Sequence, residues 1–272
     1  MKPTRYETMF SRLKEKGEGA FIPFLMLGEP DIETSQALLE TLVANGADAL
    51  ELGIGFSDAT ADGPVIQRAG QRALAAGAGP AECFALLQGV RARHPELPLG
   101  LLIYSNLVVA RGLKTFYKEA AQAGADSVLI ADLPVGAAAP FLEAATEAGV
   151  APVFVLPPNA LEATLLEVAR RGRGYTYVLG RPGVTGADRE MLPPLPSRFE
   201  ALGAAGAPPA VVGFGISTPE HIRMALKAGA AGAISGSATV ALIERYLHDK
   251  AAMHKALADF AKRMKAATRI GS

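Results

Sequence analysis

The chain has one cysteine among 272 residues, Cys83, so no internal disulfide can staple it. Its 27 basic residues balance 27 acidic ones and are spread along the chain, which excludes an electrostatic footprint for nucleic acid or an anionic membrane. Any anionic ligand must therefore be held locally. No apolar run approaches bilayer length, and the N-terminal MKPTRYETMFSRLKEKGEGA reads as an amphipathic helix without a secretory apolar core, so a cytoplasmic location is expected. The chemistry is narrowed in the same way. All ten lysines fall in predicted helices, their flanks or the N-terminal segment, which argues against a Schiff-base aldolase. His94, His221, His248 and His254 also lie on predicted helices or helix ends, and no spacing of His, Cys and carboxylate resembles a divalent metal site. There is no Walker sequence, and the GxG at 213–215 lacks the third glycine and acidic partner of a dinucleotide site.

Half of the residues are hydrophobic, enough to bury a large core. Short apolar runs alternate with segments of helical period and no Ser/Pro-rich linker divides them, so one domain spanning 1–272 is expected. Eight runs read as strands: FIPFLM (21–26), DALEL (48–52), LGLLIY (99–104), SVLIA (127–131), PVFVL (152–156), YTYVL (175–179), AVVGF (210–214) and AGAIS (231–235). Four joints, NGAD (45–48), AGAD (123–126), EAGV (147–150) and AGAA (228–231), put glycine where a helix ends before the next strand. This alternation implies a parallel sheet covered by helices. Eight units favour a closed (β/α)8 TIM barrel, although an open doubly wound sheet would share the same periodicity. A helix over 4–16 would cover the barrel floor, two helices over 63–76 and 80–93 fall between the second and third strands, and 238–267 reads as one last helix.

A barrel carries its chemistry at the C-terminal ends of its strands. There the segment ELGIGFSDATADGP (51–64) places Glu51 at the end of an apolar run and Asp62 in the glycine- and proline-marked turn that follows, a pairing suited to proton transfer. Other strand ends offer Tyr104 with Asn106, Asp132, and Pro157-Pro158-Asn159. Gly213, Gly215 and Ser217 follow the seventh strand, and Ser235, Gly236 and Ser237 the eighth. Each loop leads into a helix whose first amides can bind an anion, so together they read as a phosphate cradle. The same residues would also serve as tight turns and caps, Ser217 before Thr218-Pro219-Glu220 being one such position. The segment GRPGVTGADR (180–189), with Arg181, Gly183 and Thr185, fits either a lid over bound ligand or an ordinary surface loop. What remains is carboxylate acid/base chemistry on a phosphorylated substrate that supplies its own electron sink.

ELGIGFSDATADGP, YTYVLGRPGVTGADR, VVGFGIS and AGAISGSA, in this order and with LGEP (27–30), ADLPV (131–135) and PPNA (157–160) between them, resemble the tryptophan synthase α subunit family along essentially the whole chain. The resemblance implies a carbon–carbon lyase of tryptophan biosynthesis. Its reaction is retro-aldol cleavage of indole-3-glycerol phosphate to indole and glyceraldehyde 3-phosphate. Glu51 would then be the acid/base, and Asp62 would hold the indole N–H and stabilise the charge that develops there. Phe24, Leu102, Tyr104, Leu129, Tyr177 and Phe214 match positions lining the indole pocket, although each would equally serve as plain barrel core. Gly186, Gly215, Gly236 and Ser237 match the phosphate site, and Thr185 the lid residue that contacts Asp62 on closure. The resemblance also implies an α2β2 heterotetramer, with no cofactor in this chain and pyridoxal phosphate only in the β partner. A stand-alone indole-releasing lyase and a non-catalytic barrel regulating a β subunit are the alternatives. The chain departs from the family pattern at Gly55, where proline is usual, at Ala59 and Thr60 for Pro-Leu, at Met26 and Glu29 for Thr and Asp, and at Gly180 for serine. Gly55 and Ala59 are expected to loosen the loop between the two carboxylates.

Overall fold

The computed structural model describes residues 3–180 and 196–269. Eight parallel strands close into a barrel in sequence order: β1 (Ala20–Met26), β2 (Leu50–Gly53), β3 (Leu99–Ile103), β4 (Ser127–Ile130), β5 (Ala151–Leu156), β6 (Thr176–Leu179), β7 (Ala210–Gly213) and β8 (Gly232–Ser235). Closure is made by β8 on β1, with Ala20 opposite Gly232 and Pro23 opposite Ser235. The open doubly wound alternative is thereby excluded. All eight expected runs form strands, with ends shifted by one or two residues. The shifts matter at the site. Glu51 lies inside β2 rather than after it, whereas Tyr104, Tyr175 and Phe214, read as strand residues, stand just outside β3, β6 and β7. Gly46, Gly124, Gly149 and Gly229, the glycines of the four repeated joints, all adopt positive φ, as their place at helix ends requires.

The helices are α1 (Arg5–Glu15), α2 (Ile32–Ala44), α3 (Pro64–Ala75), α4 (Pro80–Arg93), α5 (Ser105–Arg111), α6 (Leu113–Ala123), α7 (Ala139–Ala148), α8 (Glu162–Arg171), α9 (Pro196–Ala204), α10 (Pro219–Lys227), α11 (Ser237–Arg245) and α12 (Lys250–Ala266). No single helix among the described residues is long and apolar enough to cross a membrane. Helix α1 starts with a capping box between Thr4 and Glu7, worth about 1 kcal/mol, and buries Tyr6, Met9 and Leu13 under the barrel. Tyr6 shares a 2.9 Å hydrogen bond with Ser127, the first residue of β4, and packs on Tyr175 with ring centroids 5.4 Å apart. The floor therefore lies where the amphipathic N-terminus predicts it.

One expected element is wrong. The single helix over 238–267 is two, because Asp249 accepts a hydrogen bond from the Ala252 amide and starts α12 afresh after α11 ends at Tyr246. Buried Ile243, Leu257, Phe260 and Met264 keep a helix-like apolar spacing across the break, which hides it from a periodicity reading.

The floor also holds two carboxylates. Asp48, just ahead of β2, accepts from the Phe21 amide at 2.9 Å and from Lys265 at 2.9 Å. Asp126, just ahead of β4, accepts from the Leu99 amide at 2.8 Å, from Arg91 at 2.6 Å and from Arg5 at 2.8 Å.

Candidate active site

At the opposite end, the C-terminal ends of the strands surround a cavity of about 800 Å³ lined mainly by apolar side chains. Phe24 of β1, Leu102 of β3, Leu129 of β4, Tyr177 of β6 and Phe214 after β7 all face it, together with both Glu51 and Asp62. Ile66 from α3 and Ile216 and Ile234 from the last two βα units complete the apolar wall. A flat aromatic ligand suits such a wall, and the two carboxylates are its chemically distinctive groups.

Glu51 is 1% exposed, and the Tyr175 hydroxyl donates to its Oε1 at 2.7 Å. Burial pushes its pKa up to about 8 despite the tyrosine, and the charge of Asp62 adds to the rise. Asp62 is 8% exposed and accepts from the Tyr104 hydroxyl at 3.0 Å through Oδ2. Burial raises it to about 6, against the lowering effect of that hydrogen bond. The Ala61 amide donates to the same tyrosine oxygen at 3.1 Å, and the Gln67 side-chain amide donates to the Ala59 and Asp62 carbonyls at 3.1 and 3.0 Å. The loop carrying Asp62 is thus tied both to Tyr104, just beyond β3, and to the first turn of α3.

The two carboxyls differ in a useful way. At neutral pH a group near 8 is mostly a proton donor and one near 6 mostly an anion, and divergent pKa values in one cavity mark an acid and a charge stabiliser. Neither carboxylate pairs with a cation among the described residues.

The sequence places Tyr104 in the pocket wall; the structure sets it behind Asp62, with Phe56 stacked on its ring at 5.3 Å. Tyr175, the partner of Glu51, is absent from the sequence-derived site. Its signal was alternation: it lies two residues before Tyr177, so both rings point into the barrel. Asn106 is exposed on α5 and Asn159 is exposed beyond β5, and neither lines the cavity, whereas Asp132 does so while accepting from the Ser105 amide and hydroxyl, each at 2.8 Å.

The phosphate cradle resolves unequally. Gly215, Ser217, Gly236 and Ser237 line the cavity. Gly213 does not: it is buried, and a Cβ there would fall 2.0 Å from the Tyr177 hydroxyl, so its lack of a side chain makes room for that ring. Ser235 is buried too, its hydroxyl donating to the Ile216 carbonyl at 2.8 Å and bracing the two loops against each other. Both following helices were expected to offer free amides. Thr218 instead caps α10 by accepting from the His221 amide, while Gly236 leaves α11 without a side-chain cap. The first turn of α11, beside Ser237, therefore leaves its amides open to an anion, with the helix dipole favouring negative charge there. No lysine or arginine lines the cavity among the described residues.

Phe214 adopts φ 68°, a costly conformation for an aromatic residue that here turns its ring edge-on to Tyr177, 6.1 Å between centroids. Arg181, Gly183, Thr185 and Gly186 lie outside the described residues. Gly55, expected to loosen its loop, is buried against α3: a Cβ there would stand 3.0 Å from the Gly70 carbonyl and from Leu74.

Comparisons with known proteins identify the family. The family model for the tryptophan synthase alpha chain matches residues 10–269. The chain is 56% identical to the tryptophan synthase alpha chain of Shewanella oneidensis over 265 residues, 97% of this chain and 95% of the relative. It is 52% identical to that of Escherichia coli, over 97% and 99%. The solved tryptophan synthase subunit alpha from Legionella pneumophila superposes with a TM-score of 0.88 at 30% identity, covering 98% of this chain and 99% of that one. A closed eight-stranded barrel with a paired-carboxylate cavity, matched in sequence over nearly its whole length, belongs to the tryptophan synthase alpha chain family.

Proposed function

We propose that this chain cleaves indole-3-glycerol phosphate to indole and glyceraldehyde 3-phosphate, as a cytoplasmic lyase of tryptophan biosynthesis, with Glu51 and Asp62 as its catalytic pair. The reading is carried by two buried carboxylates, raised to about 8 and about 6, that face one apolar cavity beside the uncapped N-terminus of α11.

Protonated Glu51 gives its proton to indole C3, and the ring becomes an indolenine whose nitrogen carries positive charge. Ionised Asp62 accepts a hydrogen bond from the ring N–H and stabilises that charge. The bond between C3 and the glycerol side chain then breaks. Its electron pair returns to the ring, while the carboxylate of Glu51 takes the proton of the adjacent hydroxyl as the aldehyde forms. Glu51 ends protonated, ready for another turnover. The indolenine nitrogen is the electron sink, so the step needs no cofactor in this chain. Tyr175 holds Glu51 and Tyr104 holds Asp62, limiting the reorganisation each must undergo. Phe24, Leu102, Leu129, Tyr177 and Phe214 would sandwich the indole, with the phosphate on Gly215, Gly236 and Ser237.

In this reading the chain works as the α subunit of an α2β2 complex whose β subunit holds pyridoxal phosphate and consumes the indole. Family membership over almost the whole chain supports the partnered form over a solitary lyase. Indole release by the purified chain, with and without β subunit, is the test. Partnership predicts faster cleavage on mixing, and equal rates would leave the chain a solitary lyase. Failure of both the chain and the mixture to cleave the substrate would leave a regulatory barrel.

A further inference from the structure

Helix α3 begins two residues after Asp62, and helix α11 begins at the phosphate-binding turn; the two pack side by side and are joined by three charged side chains, with Glu29 from the loop after β1 as a fourth member of the cluster. Arg68 of α3 grips Glu244 of α11 with two hydrogen bonds, Nε to Oε1 at 2.6 Å and Nη2 to Oε2 at 2.7 Å. Arg72, one turn further along α3, donates to Glu244 Oε1 at 2.8 Å through Nη1. Its Nε and Nη2 meet Oε1 of Glu29, which is fully buried beyond the end of β1 and whose second oxygen has no hydrogen-bond partner among the described residues. One guanidinium thus bridges two carboxylates on different elements. Glu244 stands seven residues after Ser237, so the clamp sits about 10 Å along α11 from the anion site. Arg68 stands six residues after Asp62, and Gln67 ties the first turn of α3 to the Asp62 carbonyl. Paired arginine–carboxylate contacts of this kind fix orientation as well as distance.

Building on the assignment of the α11 turn as the phosphate site, we propose that the Glu29–Arg72–Glu244–Arg68 clamp transmits phosphate binding at α11 to the loop that carries Asp62, making Arg72 a positioning residue for the cleavage step. An anion seated on the first turn of α11 restrains that helix, and the clamp passes the restraint to α3 and so to the Asp62 turn. Arg72 touches no substrate.

The test uses glycerol 3-phosphate as the probe and hydrogen–deuterium exchange of the peptide spanning residues 57–68 as the readout. In the wild-type chain the probe slows exchange of that peptide by about tenfold, a coupling of ordinary size between two sites. In Arg72→Met the probe binds within about threefold of wild type, its slowing of the loop is lost, and kcat falls by about tenfold with little change in KM. Arg72→Lys, which cannot bridge two carboxylates in a plane, recovers less than half of the slowing. Retention of full slowing and kcat in Arg72→Met would overturn the clamp, as would collapse of probe binding. Should Arg72→Met fail to fold, Glu244→Gln read in the same way decides. A wild-type chain that binds no glycerol 3-phosphate would overturn the phosphate assignment itself, whereas binding without slowing would overturn the clamp alone.

Discussion

The floor of the barrel and the cavity at its mouth each hold a pair of buried or nearly buried carboxylates, and their partners differ. At the floor, Asp48 meets Lys265 and a backbone amide, and Asp126 meets Arg91, Arg5 and a backbone amide. At the mouth, Glu51 and Asp62 each meet a tyrosine hydroxyl. The floor carboxylates are held in ion pairs that serve the fold, whereas Glu51 and Asp62 have only a neutral donor each and are raised by burial to about 8 and about 6. Burial alone therefore does not mark a catalytic carboxylate. The character of the partner does.

The sharpest way to break this contrast is to neutralise one member of the upper pair. Glu51→Gln is expected to lower kcat by at least the ~10²–10⁴-fold typical of a lost general acid/base, with glycerol 3-phosphate binding retained, as steady-state kinetics and calorimetry would report. Near-normal turnover would remove Glu51 from the chemistry. The lower pair should respond in the opposite currency. Asp126→Ala leaves the Leu99 amide without its acceptor and Arg91 and Arg5 without their carboxylate, and is expected to cost about 3 kcal/mol in urea denaturation while the folded fraction keeps its kcat. A large loss of kcat with stability intact would erase the distinction between the two ends.

Smaller changes sharpen the comparison. Tyr175→Phe removes the hydrogen bond that opposes the rise in the pKa of Glu51, so the limb of the pH–rate profile belonging to Glu51 should move to higher pH and kcat should fall by about tenfold. A downward shift would contradict the assignment. A further effect is on stability. Glu51 is raised in the folded chain, so between the ordinary 4.5 and about 8 the folded state binds more protons than the unfolded state. Its contribution is full below that window and is lost as pH rises through it. Glu51→Gln, which never ionises, should accordingly gain melting temperature relative to wild type as pH rises toward 8 and show little difference below the window. A parallel pair of curves would show that Glu51 is not raised.

Most of this architecture was legible in the sequence because it is written in local patterns. The eight strands, the two helices between β2 and β3, and the glycine joints at Gly46, Gly124, Gly149 and Gly229 all follow from apolar period and backbone freedom. The break between α11 and α12 escaped because the apolar spacing runs on through it and only the Asp249 cap interrupts the helix. At the site, Glu51, Asp62 and five of the six apolar residues face one cavity as the motif implied. Alternation with Tyr177 signals only that the Tyr175 ring points into the barrel and carries no sign that its hydroxyl will meet a glutamate 124 positions away. Gly213 misled for a related reason: a glycine beside a phosphate loop and a glycine making room for Tyr177 look identical in one dimension.

The account rests on Glu51 holding a proton at neutral pH. Infrared difference spectroscopy of wild type against Glu51→Gln would observe that proton directly. The prediction is a protonated-carboxyl C=O stretch present at neutral pH, missing in the variant, and titrating away near pH 8. A band absent at neutral pH, or one that titrates near the ordinary 4.5, would contradict it.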